Sequence, residues 1–85
     1  MVVTIDLSYV PDMVRSLIRK SIDLKYHTNQ NECMIILQNE PNTEKIRSIL
    51  EQILKENTID DFVVTENTEK ENEITLLKQG DLEQL

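Results

Sequence analysis

Residues 2–7, VVTIDL, set Val3, Ile5 and Leu7 against Val2, Thr4 and Asp6. That period-two alternation predicts a strand with one buried face. Pro11 then suits the first turn of a helix, and Asp12 beside it favours the positive helix end. Val14, Leu17 and Ile18, with Val10 just upstream, keep to one helical stripe, while Arg15, Arg19 and Lys20 lie largely off it. Ile22, Leu24 and Tyr26 alternate with Asp23, Lys25 and His27, which predicts a second strand. TNQN, residues 28–31, is polar and predicts a turn. CMIIL, residues 33–37, is a short continuous apolar run of the kind expected in the middle of a sheet.

NEPNT, residues 39–43, is the strongest breaker in the chain. Asn42 or Thr43 is suited to cap the helix that follows, and Glu44 suits its first turn. Ile46, Ile49, Leu50, Ile53 and Leu54 keep spacings i, i+3, i+4, i+7 and i+8, so the helix is expected to run to about Asn57. Phe62 to Thr65 predict another strand, TEKENE (68–73) a charged turn, and ITLLK (74–78) a returning fifth strand.

The order is βαββαβ with room for one strand more. Right-handed crossovers in that order put both helices on one sheet face. The expectation is therefore an α+β fold, a ferredoxin-like two-layer sandwich with an antiparallel sheet and strands one and three central. The rival is an arrangement in which the last two segments form a separate hairpin. Residues 1–79 are expected to form a single domain, and 80–85 a polar, frayed C-terminal tail.

Eighty-five residues lie near the lower size limit for an independent core. With only Tyr9, Tyr26 and Phe62 aromatic, that core must be aliphatic. Charge is uneven: residues 1–40 carry four Lys/Arg against five Asp/Glu, and residues 41–85 carry five against eleven. A net charge of −7 repels phosphate backbones and argues against direct nucleic-acid binding. Base-stacking aromatics, which an RNA-recognition module of this topology needs, are missing from CMIIL and VVTIDL. One cysteine excludes an internal disulfide. With no signal-like start and no long apolar run, the expectation is a cytoplasmic protein with no membrane contact.

The only glycine, Gly80, sits near the end, which excludes phosphate-cradling and dinucleotide loops. Neither CxxC nor HExxH occurs, and one His with one Cys falls short of a structural zinc set. No catalytic residue, cofactor or metal is implied. His27 and Cys33 are the only suggestive pair. A turn of even length at 28–31 places them on opposite sheet faces, with Cys33 in the core opposite Tyr26 and His27 solvated near Glu32. An odd turn would bring them to one side. The carboxylates Asp60, Asp61, Glu66, Glu69, Glu71 and Glu73 read as solvated charge before they read as a metal site.

The same register leaves Val2, Met34, Ile36 and Val63 on the face away from the helices, ringed by Thr4, Lys25, His27 and Thr65. An uncovered apolar patch commonly marks an association surface. The functional expectation is a small non-enzymatic interaction or regulatory protein. It self-associates through that face, as a dimer by preference, or meets a protein partner there; edge pairing through strand two or the last strand offers an alternative site. Arg15, Arg19 and Lys20 are the candidate charged contacts for an acidic partner. The second expectation is an acidic inhibitor that imitates nucleic-acid charge before a basic target, and the third a small enzyme with an interface active site.

Overall fold

The computed structural model describes residues 2–38, 42–67, 70 and 72–82. Its elements are β1 (Val2–Asp6), α1 (Asp12–Asp23), β2 (Thr28–Gln30), β3 (Met34–Gln38), α2 (Thr43–Glu56), β4 (Phe62–Glu66), β5 (Glu73–Lys78) and a single helical turn α3 (Gln79–Leu82). The strands form one sheet in the order β2-β3-β1-β5-β4. Alternate residues of the sheet, Val3, Ile5, Ile35, Leu37, Val64, Ile74 and Leu76, are buried with Ile18 and Ile22 of α1 and Ile46, Leu50, Ile53 and Leu54 of α2. One aliphatic cluster thus joins one sheet face to both helices, as the composition requires, and among the described residues no second layer covers the other face.

The fold is α+β, and the sheet is mixed where an antiparallel one was expected. β1 pairs β3 antiparallel and β5 parallel, with Ile5 opposite Ile74, and β4 pairs only β5. Burial explains the exchange. Ile74 and Leu76 are fully enclosed, whereas β4 buries only Val64 and is flanked by Asp60, Asp61 and Glu66. The strand beside β1 is thus the more deeply enclosed of the two, and β4 lies at the edge, where one flank stays hydrated. The last two segments do form a hairpin, but within the common sheet.

Strand two is a second correction. Ile22 belongs to α1, one turn beyond Ile18, and is fully buried; Leu24, assigned with it to a strand, is 88% exposed. Ile18, Ile22 and Tyr26 also stand four apart, and the helical stripe that began at Val14 outcompetes the alternation. β2 is instead the polar segment Thr28–Gln30. It pairs Thr28 with Leu37, Asn29 with Ile36 and Gln30 with Ile35. Its inward residues are polar, and it is attached to α1 by hydrogen bonds: Arg19 Nε donates to Gln30 Oε1 at 3.2 Å, and Gln30 Nε2 donates to the Arg19 carbonyl at 3.4 Å.

Both ends of α2 are sharply made. Asn42 Oδ1 accepts from the Lys45 N–H at 3.1 Å, capping the first turn. At the other end the Thr58 N–H donates to the Lys55 carbonyl at 3.2 Å and the Ile59 N–H to that of Leu54 at 2.9 Å. These are the paired bonds of a Schellman stop, with Thr58 in the left-handed position at φ 56°. Of the polar tail, Gln79–Leu82 makes the α3 turn, and residues 83–85 lie outside the described residues, as do Asn39, Glu40, Pro41, Thr68, Glu69 and Glu71.

Candidate functional site

The uncovered sheet face follows from the pleat, since directly paired residues share a face. Val2 stands opposite Gln38, Ile36 opposite Thr4 and Asn29, and Met34 opposite Asp6. Across the sheet Thr4 pairs with Glu73, Asp6 with Thr75, Thr75 with Thr65, and Leu77 with Val63. The residues expected there, Val2, Met34, Ile36 and Val63, all lie on this face. Leu77 joins them, and its place was legible in the sequence because Ile74 and Leu76 alternate with Thr75 and Leu77. Lys25 and His27, expected to surround them, lie before β2 begins at Thr28.

The apolar residues form two corners and not one patch. Val2, Met34 and Ile36 occupy the side toward β2, and Val63 with Leu77 the side toward β4. Between them run Thr4, Asp6, Thr75, Thr65 and Glu73. The Asp6 carboxylate accepts from the Ser8 N–H and hydroxyl at 2.9 and 2.6 Å. Glu73 has only 12% of its side chain exposed, and its Oε2 is 3.9 Å from Lys70 Nζ. Thr65 Oγ1 turns back to donate to the Thr75 carbonyl at 2.9 Å. The face therefore presents an acidic, hydroxyl-lined centre between aliphatic shoulders.

His27 precedes β2 and Cys33 follows it, so the three residues of that strand, about 10 Å, separate them and they form no dyad. Cys33 is not in the core: it sits half-buried in the turn from β2 to β3. Its N–H donates to Asn31 Oδ1 at 2.9 Å, and its carbonyl accepts from the Leu7 N–H at 2.7 Å. The turn is three residues further along the chain than the 28–31 reading placed it, because Ile22 belongs to α1 and Leu24 to Tyr26 to the turn that follows it. Arg15 Nη1 donates to Cys33 Sγ at 3.3 Å and its guanidinium also pairs with Asp12. Of the basic trio, Arg15 and Arg19 are thus engaged within the fold, and Lys20 alone among them is exposed. Among the described residues no three His, Cys, Asp or Glu side chains converge as a metal site would need.

A second surface escaped the sequence reading. Tyr9 and Met13 are 61% and 84% exposed. Met13, Val14 and Leu17 with Ile59 floor a groove of about 480 Å³ rimmed by Lys20 and Asn57. The signal was present: Met13, Leu17 and Leu24 stand at i, i+4 and i+11, a stripe adjoining the core stripe.

No protein-family model matches the chain, and no curated protein is detectably similar to it in sequence. No helix among the described residues is long and apolar enough to cross a membrane.

Proposed function

We propose that the chain is a small, acidic, non-enzymatic interaction module of the cytoplasm whose open sheet face receives another protein. The observation that supports the reading is the uncovered face itself, with aliphatic shoulders either side of Asp6 and Glu73. A copy laid face to face would bring these carboxylates toward one another, and like charges in a desolvated contact are costly. A partner with a basic centre and apolar flanks fits better. The layout is read as a ferredoxin-like plan with β5 inserted between β1 and β4. Such a plan hosts many functions, so the argument rests on the face and not on the topology.

The test is affinity capture from the native host with the wild type and with Ile36→Glu, each checked for folding by circular dichroism. Proteins held by the wild type and released by Ile36→Glu are the expected outcome. An identical set captured by both folded proteins would sink the reading.

A further inference from the structure

β4 ends the sheet, and among the described residues no other strand pairs with its outer edge. It is a regular five-residue strand, FVVTE, with no Pro, Gly or Lys and no bulge in its register with β5. Natural sheets usually blunt such an edge by those means or by an inward-pointing charge, and Glu66 is the one such residue here. The opposite edge, β2, is only three residues long and polar.

The hydrogen bonds to β5 tell which groups of β4 face outward. The Asn67 N–H donates to the Glu73 carbonyl at 2.9 Å, and the Gln79 N–H to that of Asp61 at 2.8 Å. In an antiparallel ladder the bonded residues alternate. Asp61, Val63, Thr65 and Asn67 therefore turn their backbone groups toward β5, and Phe62, Val64 and Glu66 turn theirs to the open edge. Among the described residues no backbone bond runs from these three to another element.

We propose that β4 pairs antiparallel with β4 of a second copy about a two-fold axis at Val64, joining the two five-stranded sheets into one. Val64 exchanges both its backbone bonds with its own counterpart, and Phe62 exchanges its pair with Glu66 of the second copy. Parity restricts the alternatives. Only registers that oppose outward-facing residues close the ladder, and of these the one centred on Val64 overlaps the strand most fully. The helices then lie on the same side in both copies, and the two open faces become continuous.

Charge at the edge favours a second copy as the occupant. A groove of about 580 Å³ lies between α2 and β4, lined by Arg47 and Glu51, which pair with each other, and by Lys55, Asp60, Ile59 and Phe62 among others. Lys55 is exposed and has no ion pair among the described residues, and the same holds for Glu66. Glu66 has the parity of Phe62 and Val64, so its side chain projects toward the helix side of the sheet. In the paired register Glu66 of the second copy stands opposite Phe62, at the Lys55 end of the groove. The two-fold axis makes that complementarity twice.

Sedimentation equilibrium of the wild type, Lys55→Glu, Glu66→Lys and the double reversal tests the pairing. Both sites are exposed, so the single variants are expected to fold. Each single reversal should weaken the dimer about tenfold, and the double reversal should restore it, since it rebuilds both ion pairs with the signs exchanged. Amide exchange at Val64 should slow as the wild-type concentration rises. A monomer at every concentration up to the millimolar range would overturn the proposal. So would a dimer indifferent to both reversals, or one abolished by Ile36→Glu alone, which would seat association on the sheet face.

Discussion

Arg19 and Gln30 hold each other across the gap between α1 and β2. Arg19 Nε donates to Gln30 Oε1 at 3.2 Å, and Gln30 Nε2 approaches the Arg19 carbonyl at 3.4 Å. This polar latch does for the β2 edge what aliphatic side chains do for the other strands. Gln30→Ala should destabilise the protein by about 1 kcal/mol. Arg19→Lys should do nearly the same, because an ammonium lacks the Nε donor. Hydrogen exchange would then accelerate first at Thr28 and Asn29. If Arg19 served an outside acidic partner and nothing internal, Arg19→Lys would leave the urea midpoint unmoved.

Ile22 and Leu24 separate the helical reading of this segment from the strand reading. Ile22 is fully buried on α1 and Leu24 is 88% exposed just beyond it. Ile22→Ala should cost about 2–5 kcal/mol, while Leu24→Ala should stay within about 0.5 kcal/mol. Equal losses at the two positions, read from denaturant melts, would restore the strand.

Thr58 carries a β-branched side chain at φ 56°. Left-handed backbone costs an L-residue about 1–2 kcal/mol, and a glycine there gives back about 0.5–1 kcal/mol in unfolded-state entropy. Thr58→Gly should still raise the melting temperature, by about 3–6 °C for a domain of this size. A lower melting temperature would mean that the threonine side chain makes a contribution beyond its backbone position.

Asn42 closes the start of α2 through its bond to the Lys45 N–H. Asn42→Ala should cost about 1 kcal/mol, and Asn42→Asp should recover most of it, since a carboxylate accepts the same bond near the positive helix end. Thermal melts of the three proteins give the ordering directly. Equal melting temperatures for wild type and Asn42→Ala would remove the cap from the account.

Elements with their own internal rhythm were legible in the chain. α2 was readable because five apolar residues keep to one stripe and Asn42 precedes them, and β1 because VVTID alternates without a break. The segment 22–30 was not, for two reasons. Ile22 and Tyr26 satisfy both a strand and a helix period, and Thr28–Gln30 has no apolar residue to mark it as a strand. The error propagated: the turn moved, and Cys33, read as core, lies in it beside Arg15. Of the open face, Val2, Met34, Ile36 and Val63 were found from alternation alone. The polar band between them was not, because Asp6, Thr75 and Glu73 become neighbours only through the pairing of β1 with β5.

Local geometry is enough for some conclusions. Side chains alternate along any strand and repeat every three or four residues along any helix, so the sequence by itself determined the inward-facing residues of β1, β4 and α2, that the core is aliphatic, and that two helices cover one sheet face. The order of the strands depends on competition between segments for enclosure. ITLL and FVVT are similar as isolated strands, and only the packed sheet compares them, giving Ile74 and Leu76 the position beside Ile5 and leaving Phe62, Val64 and Glu66 with their backbone groups turned to the open edge.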